Sequence, residues 1–319
     1  MRILTRREDL HCVNFHLLTL LAYAASFWVA TRFDRFAIDT AWEKGAFYLA
    51  AAAMLGWCSG IDVGVNFHNH VHRPIFRIPW LNRWFGRTWT ITGGWPAGMW
   101  DYSHTTVHHD HLLEDRDWTL PRRGLDGRFE NPYRYALASW PWRYAQAVVR
   151  DVRSRASDRH GIRWAVRELA WFAVFASIPF LLLDPVSLFF LWIGPMMIAN
   201  MAVMGPGMYA QHAGCEAESE AGPYRHSNTF LSRVFNLTMF NIGYHIEHHD
   251  HPDVHWSALP RLHEKLKDAL IENGAHVVPF GYYRGGQLLC QGQWSERRKA
   301  EFFETHPDYR PRDEPCTRS

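Results

Sequence analysis

Apolar residues are concentrated in four blocks of the chain, and a long polar segment separates them into two pairs. The blocks cover residues 14–30, 46–65, 164–183 and 186–204. A helix needs about 20 residues to cross the hydrocarbon layer of a bilayer, and about 17 are tolerated. We therefore predict an all-α integral membrane protein with four transmembrane helices in two hairpins.

The first apolar block has a second interpretation. Three arginines precede it within the first seven residues, and a basic stretch before an apolar run is also typical of a signal peptide. The apolar residues continue past Ala24, where cleavage would be expected, to Trp28 and Ala30. We therefore favour an uncleaved membrane anchor.

Residues 78–100 are rich in aromatic side chains, but Gly93, Gly94, Pro96 and Gly98 interrupt them. Non-helical backbone is not tolerated in contact with lipid tails. We expect an interfacial or re-entrant segment here, not a fifth span.

The distribution of arginine predicts the orientation. Residues 104–163 are polar and carry five arginines between Arg150 and Arg163, which indicates the cytosolic side. The connection at Asp184 and Pro185 lacks Lys and Arg, so we assign it to the opposite side. Four crossings then place both termini and residues 205–319 in the cytosol. The helices of this region would form a cap on a single domain of residues 1–319.

Three groups of histidines lie next to the predicted spans. They are His68 and His72 (HxxxH), then His104, His108 and His109 (HxxxHH), then His245, His248 and His249 (HxxHH). Residues three and four apart share one face of an α-helix. Imidazole is a ligand for zinc, iron, copper and nickel. One histidine run alone could equally be a solvated surface, but three groups at the same predicted membrane face indicate a metal site.

A row of glycines leads into the first histidine group. Gly56, Gly60 and Gly64 repeat every four residues, and the row continues into His68 and His72. Small residues at this spacing let another helix approach closely. The contact could bring ligands of two helices together, although ordinary packing of membrane helices explains the glycines equally well.

The boxes and the spans between them resemble the membrane-bound fatty acid desaturase superfamily over roughly residues 46–266. The resemblance implies two iron ions held by imidazoles, O2 as co-substrate and removal of hydrogen from an unactivated C–H bond. A further histidine near the end of the last span completes the family's ligand set. His212, in the sequence Met-Tyr-Ala-Gln-His, occupies that place, and His226 is the rival candidate.

Several residues near the boxes receive separate predictions. Asn241 precedes His245 by four residues and could hydrogen-bond a ligand or a metal-bound water, although a capping role is equally compatible. Glu247 lies about 200° around a helix from His245 and should point away from the metals. We expect four neighbouring histidines not to be ligands: His70, His111, His251 and His255.

Carboxylates near the boxes also receive predictions. Asp101, Asp110 and Asp250 could accept a hydrogen bond from a ligand ring, although flanking carboxylates are usually solvated. Asp62 lies near the end of the second span, where an ionisable group suggests function. It could pair with Arg73 or a box histidine, or reach only interfacial water.

The leading hypothesis is a desaturase that inserts a double bond into a fatty acyl lipid. Hydroxylation, or reaction with a smaller molecule on the same fold, is the first alternative. A zinc-dependent membrane hydrolase or a metal transporter is the alternative from another class. Its weakness is that nine imidazoles exceed what one open zinc site needs.

The electrons must come from a separate ferredoxin-like or cytochrome donor, because the sequence has no haem, ferredoxin or dinucleotide motif. The arginines between Arg150 and Arg163 could dock this donor or could only fix the topology.

Lys plus Arg (34) nearly balances Asp plus Glu (32), which gives no basis for nucleic-acid binding. Five scattered cysteines argue against disulfides. Residues 260–273 predict an amphipathic helix that Gly274 ends.

Overall fold

The computed structural model of the chain describes residues 3–121, 130–216, 222–282, 303–304 and 306–309. These residues form two compact units. The first unit comprises Met1–Thr106 and Pro141–Gly205, and the second comprises Val107–Trp140 and Pro206–Ser319. Cys290 and Cys316 lie outside the described residues, and Cys12, Cys58 and Cys215 are free thiols.

Helices build the first unit, and the last helix continues from it into the second. They are α1 (Asp9–Ala30), α2 (Ala41–His72), α3 (Pro79–Gly93), α4 (Ala97–Tyr102), α5 (Trp140–Arg155), α6 (Arg159–Leu182) and α7 (Pro185–His212), with a 3-10 turn at Phe33–Phe36. Within the described residues, α1, α2, α6 and α7 are long and apolar enough to cross a bilayer. The prediction of four such helices is confirmed, whereas their hairpin arrangement stays a prediction.

Polar side chains cap the starts of α2 and α7. The Thr40 hydroxyl accepts a hydrogen bond from the Glu43 amide at 3.2 Å, and the Glu43 carboxylate accepts one from the Thr40 amide at 2.9 Å. This reciprocal capping box begins α2. Asp184 accepts from the amide of Val186 at 2.9 Å and begins α7 in the same way.

The glycine row of α2 packs directly against α7, which confirms the predicted close approach. A Cβ atom on Gly60 would lie 2.4 Å from Cβ of Val203, and one on Gly56 would lie 2.5 Å from Cβ of Ile198. Both distances are far below van der Waals contact. The two helix backbones therefore approach closely only because side chains are missing at these positions.

Short π-helical turns interrupt the regular helices next to several predicted ligands. They cover Asp62–Phe67 in α2, Ser103–His108 after α4 and Ala199–Met204 in α7. A π turn inserts an extra residue into the helical repeat and often marks a functional site. The assumption that the HxxxHH group lies on a regular α-helix is therefore wrong.

A buried polar cluster connects α1, α2 and α3. His16 Nδ1 donates to Asp62 Oδ2 at 2.7 Å, and the Thr92 hydroxyl donates to the same oxygen at 3.0 Å. His16 Nε2 lies 2.7 Å from Thr88 Oγ1. The expected partners of Asp62, Arg73 or a box histidine, are therefore wrong. The partner of Asp62 is His16 of α1, which is 46 residues away in sequence.

The aromatic segment is broken where its glycines predict. α3 ends at Gly94, which adopts a left-handed backbone with φ of 72°, and α4 begins after Pro96. Gly98 is not a break, because it lies inside α4. The position of this segment at a membrane interface stays a prediction.

The second unit is also mainly helical but contains a small sheet. Its elements are β1 (Asn228–Phe230), α8 (Arg233–Thr238), α9 (His245–Asp250), α10 (Leu259–Glu272) and β2 (His276–Val278), with short turns at Pro132–Arg134, Tyr135–Ser139, Trp256–Ala258 and Pro307–Tyr309. β1 and β2 pair in parallel, with Asn228 opposite His276 and Phe230 opposite Val278. The all-α prediction missed this sheet because three-residue strands are too short to display an alternating pattern.

The amphipathic helix predicted over residues 260–273 is confirmed as α10. Leu270 is fully buried, and Gly274 follows the helix with a positive φ of 62°. A left-handed glycine of this kind ends many helices.

The close contact between α2 and α7 gives a testable prediction. Gly60→Ala should destabilise the protein by about 1–3 kcal/mol, because the added methyl overlaps Val203. Thermal unfolding of the purified protein in detergent measures the change. Gly45→Ala is the matched control on the same helix, since a Cβ there meets nothing within 4 Å. Equal unfolding temperatures for the two variants would contradict the packing described here.

Candidate metal centre

Four histidines of the second unit converge on one point. His108, His212, His245 and His249 each place a ring nitrogen within 4.8 Å of the others. The first three side chains are buried, and His249 is partly buried. They come from three places in the sequence: the π turn after α4, the last residue of α7, and α9.

The spacing of these nitrogens fits a single metal ion. His245 Nε2 lies 3.3 Å from His212 Nε2 and 3.1 Å from His249 Nε2. Two imidazole nitrogens bound at about 2.1 Å to one metal, at angles between about 90° and 109°, lie about 3.0–3.4 Å apart. The four-histidine cluster therefore has the donor type and the spacing that a metal of the imidazole-binding class requires.

Hydrogen bonds outside the cluster orient two of these rings. His212 Nδ1 donates to the backbone carbonyl of His226 at 3.2 Å, and His108 Nδ1 donates to Asp117 Oδ1 at 3.0 Å. Each bond fixes the proton on Nδ1 and leaves the Nε2 lone pair for a metal. Burial, followed by the surrounding imidazoles, holds the pKa of His249 well below its usual value. A neutral ring is the form that binds metal.

Asp117 is the site residue that the sequence reasoning missed. Its Oδ1 also accepts from the Thr119 amide at 2.9 Å and the Thr119 hydroxyl at 2.8 Å, and its Oδ2 accepts from the Leu113 amide at 3.0 Å. Burial, the largest influence, raises the pKa of Asp117. The facing His108 and the donors outweigh it and hold the pKa below its usual value.

The three carboxylates singled out from the sequence have other surroundings. Asp250 pairs with His251 at 3.1 Å, and Asp101 accepts from the Thr105 hydroxyl at 3.4 Å. Burial raises the pKa of Asp101 to about 6. Asp110 is exposed. Asp117 instead holds a ring of the four-histidine cluster, that of His108.

Three further predicted ligands meet in the first unit. His72 Nε2 lies 3.0 Å from His104 Nε2, and the ring of His68 lies 4.5 Å from that of His104. His68 and His104 are fully buried. The end of α2 and the π turn after α4 thus bring His68, His72 and His104 together.

The remaining two predicted ligands are neighbours in the second unit. The rings of His109 and His248 lie 5.2 Å apart, and the His109 ring stacks on His249 at 4.4 Å. Each of the nine predicted ligands therefore has other predicted ligands as close neighbours within its own unit.

The histidines expected not to bind metal have other interactions. His111 pairs with Glu114 at 2.8 Å, and His255 Nδ1 accepts from the Ser257 amide at 3.2 Å. The ring of His70 packs against Trp89 at 5.2 Å. The rival candidate His226 offers its carbonyl to His212, and its ring Nδ1 lies 3.0 Å from Ser227 Oγ.

Glu247 lies inside the third box without joining the histidine cluster, as its helical angle predicted. It is fully buried and accepts hydrogen bonds from Thr229 Oγ1 at 2.6 Å and from His263 Nδ1. His263 Nε2 in turn lies 2.5 Å from the Tyr309 hydroxyl. Glu247 therefore attaches α9 to β1 and to α10, an arrangement that the sequence analysis did not foresee.

The prediction that Asn241 lies one helical turn before His245 is wrong. α9 begins only at His245, and Asn241 lies before it in a turn with φ of 60°. Its Nδ2 donates to the carbonyl of Trp256 at 3.2 Å. Asn241 and His245 therefore do not share a helical face.

Asn228 and Thr229 connect α7 with α9. Asn228 Nδ2 donates to the carbonyls of Ala210 and Ala213 at 2.8 and 2.9 Å, on either side of His212. The neighbouring Thr229 binds Glu247 of α9. β1 thus fixes the end of α7 and the third box at the same time.

A comparison with protein families assigns this chain to a family. Residues 44–281 match the family model described as fatty acid desaturase. The chain belongs to this family. It is therefore a desaturase-type oxidoreductase, and together with its four apolar helices the family indicates a membrane protein. The family also implies non-haem iron, a lipid substrate and a redox partner.

Two proteins of one name, from different organisms, are similar to the chain. The chain is 23% identical over 275 residues to the sphingolipid delta(4)-desaturase DES1 of Pongo abelii, covering 85% of this chain and 78% of that protein. It is 25% identical over 231 residues to the protein of the same name from Gallus gallus, covering 70% and 66%. No solved structure matches the chain significantly.

The hydrogen bond between Asp117 and His108 gives the second prediction. Asp117→Asn should weaken metal binding about 10- to 100-fold, the usual effect of losing the carboxylate behind a ligand histidine. Competition with a chelator, followed by metal analysis of the purified protein, measures this affinity. Asp110→Asn makes the same chemical change at an exposed carboxylate beside the same box and should leave the affinity unaltered. Similar losses in both variants would argue against the assigned role of Asp117.

Proposed function

We propose that this desaturase is a diiron, O2-dependent enzyme that inserts a double bond into the aliphatic chain of a lipid. The main support is the cluster of His108, His212, His245 and His249 in a chain of the fatty acid desaturase family. Fatty acyl lipids are the first proposed substrate class. Sphingolipids are the second class to test, because they appear in the names of both similar proteins.

We assign one iron to the four-histidine cluster. We propose that the nine predicted histidine ligands together hold both irons. When bound, iron would supply the oxidation of an unactivated C–H bond by O2, which no ordinary side-chain acid or base can perform.

Residues outside the histidine set orient the proposed ligands. Asp117 holds the proton of His108 on Nδ1, and the His226 carbonyl does the same for His212. Glu247 holds α9 through Thr229 and His263. Imidazoles whose tautomers are fixed in this way would keep their lone pairs available to a bound metal.

The proposed enzyme crosses the membrane four times, with both termini and the metal centre on the cytosolic side. Electrons would come from a separate ferredoxin-like or cytochrome protein. The arginines between Arg150 and Arg163 are the proposed docking region. Among them, the exposed Arg155 lies over the rings of Trp164 and Tyr102 at 4.3 and 4.5 Å.

Metal analysis together with paired histidine variants tests the centre. We expect about two irons per purified chain. His248→Ala should lower the iron content and abolish turnover, because it removes a proposed ligand. His251→Ala should change neither, since that ring pairs with Asp250. One zinc without iron, or equal losses in the two variants, would contradict the proposed centre.

The reaction itself is tested by mass spectrometry of lipids from cells with and without the protein. The expected product is lighter than its substrate by two hydrogens and carries one more double bond. The inactive His248→Ala variant is the control for effects of expression. A product that instead gains one oxygen would identify a hydroxylase, and cleavage of an ester or amide would identify a hydrolase.

A further inference from the structure

A cleft of about 380 Å³ opens between α3 and α6, within the first unit. Its lining consists of three arginines and three tryptophans: Trp80, Arg83, Trp84, Arg87, Arg167 and Trp171. None of them is a predicted metal ligand. The cleft therefore requires an explanation apart from the histidine cluster.

The sequence alternates the two residue types along the helices. Trp80 and Trp84 are four residues apart on α3, as are Arg83 and Arg87, so each pair shares a face. α6 adds Arg167 and Trp171, again four residues apart. The rings of Trp84 and Trp171 meet edge to face at 4.6 Å. Both helices thus contribute a cation and an aromatic surface to one cavity.

A buried glutamate orients two of the arginines. Glu168 Oε1 accepts from Arg87 Nη2 at 2.5 Å and from Arg167 Nε at 3.3 Å. Glu168 fits here because Gly98 of α4 has no side chain, and a Cβ at that position would lie 2.3 Å from Glu168 Oε2. Three guanidinium groups against Glu168 and the neighbouring Asp101, whose charge also acts on Arg87, leave one positive charge in excess. The cleft is therefore preorganised for an anion.

The hydropathy of α6 indicates where the cleft lies along the membrane normal. Arg167 and Glu168 are its last charged residues, and residues 169–183 contain no charge. Trp80 and Trp84 are 57% and 51% exposed. Tryptophan and arginine at the end of an apolar span are typical of the headgroup region of a bilayer.

We propose that this cleft binds the phosphate of an anionic membrane phospholipid. Guanidinium groups recognise phosphate oxygens through paired hydrogen bonds, and basic pockets between membrane helices bind anionic headgroups. The exposed indoles provide an apolar surface for the glycerol and the upper acyl chains. The excess positive charge disfavours a zwitterionic lipid, whose headgroup brings a cation with its phosphate.

Native mass spectrometry of the full chain in detergent tests the proposal by titration with phosphatidylglycerol or phosphatidylcholine. The wild type should bind phosphatidylglycerol at least about tenfold more tightly than phosphatidylcholine. R83Q/R167Q should lose this preference, because it removes two of the three cations and leaves the Arg87–Glu168 pair in place. R83K/R167K should recover part of it, since lysine restores the charge without the planar fork.

A matched control separates the cleft from general surface charge. R159Q/R163Q removes two exposed arginines from the same helix, one and two turns before Arg167, and should keep the preference of the wild type. Equal metal content in all variants, together with equal unfolding temperatures, shows that they fold. Equal affinities for the two lipids in the wild type would overturn the proposal, as would equal losses in R83Q/R167Q and R159Q/R163Q.

Inorganic phosphate distinguishes a lipid site from a simple phosphate site. At the concentration of the lipid, sodium phosphate should not displace phosphatidylglycerol, because it lacks the apolar part that the tryptophans contact. Displacement at equal concentration would identify a site for free phosphate and overturn the lipid assignment. Because the titration measures binding without turnover, its outcome is independent of the proposed reaction.

Discussion

The candidate metal centre depends on keeping several imidazoles neutral, close together and correctly oriented in a largely buried site. Neighbouring imidazoles compete for protons, as the Nε2 atoms of His245 and His249 at 3.1 Å would, so a partner that fixes the proton on Nδ1 of a ring keeps its Nε2 lone pair free for a metal. Asp117 does this for His108, and the His226 carbonyl does it for His212. The chemistry of the site therefore rests on residues that never contact the metal position.

The close packing of the membrane helices places one box near the end of its span. Gly56 and Gly60 bring α2 against Ile198 and Val203 of α7. The π turn that follows in α2 changes the direction in which the next side chains point. A regular α-helix through the same residues would aim His68 and His72 elsewhere. The glycines set the distance between the two helices, and the π turn sets the rotation of the ligands.

Features with a strong local pattern could be predicted from the sequence. Uninterrupted apolar blocks gave the four long helices, and Gly274 gave the end of α10. The histidine spacing predicted the three boxes, the family resemblance predicted His212, and the structure groups His212 with His108, His245 and His249. Glu247 was also correctly separated from the histidines by its position on the helix.

Contacts between residues distant in the sequence could not be predicted in the same way. His16 and Asp62 form a hydrogen bond although they are 46 residues apart, and no local pattern around either residue predicts this pairing. The turn that brings Asp117 to His108 contains Leu113 with a φ of 63°. A leucine in the sequence does not predict this left-handed conformation. The assumption of a continuous α-helix misplaced Asn241, because α9 begins only at His245. These failures share one cause, since periodicity describes a helix but not where it starts or what packs on it.

The role of β1 changes what counts as the minimal active portion of this chain. Asn228 and Thr229 hold α7 and α9 together, and β1 is itself completed by β2 at residues 276–278. His263, which binds Glu247, also lies beyond the third box. A fragment that stopped after the last box would contain every histidine of the set and β1, but it would lack β2, which pairs with β1, and His263, which binds Glu247. The boundary of the catalytic module is thus set by hydrogen bonding and not by the last ligand.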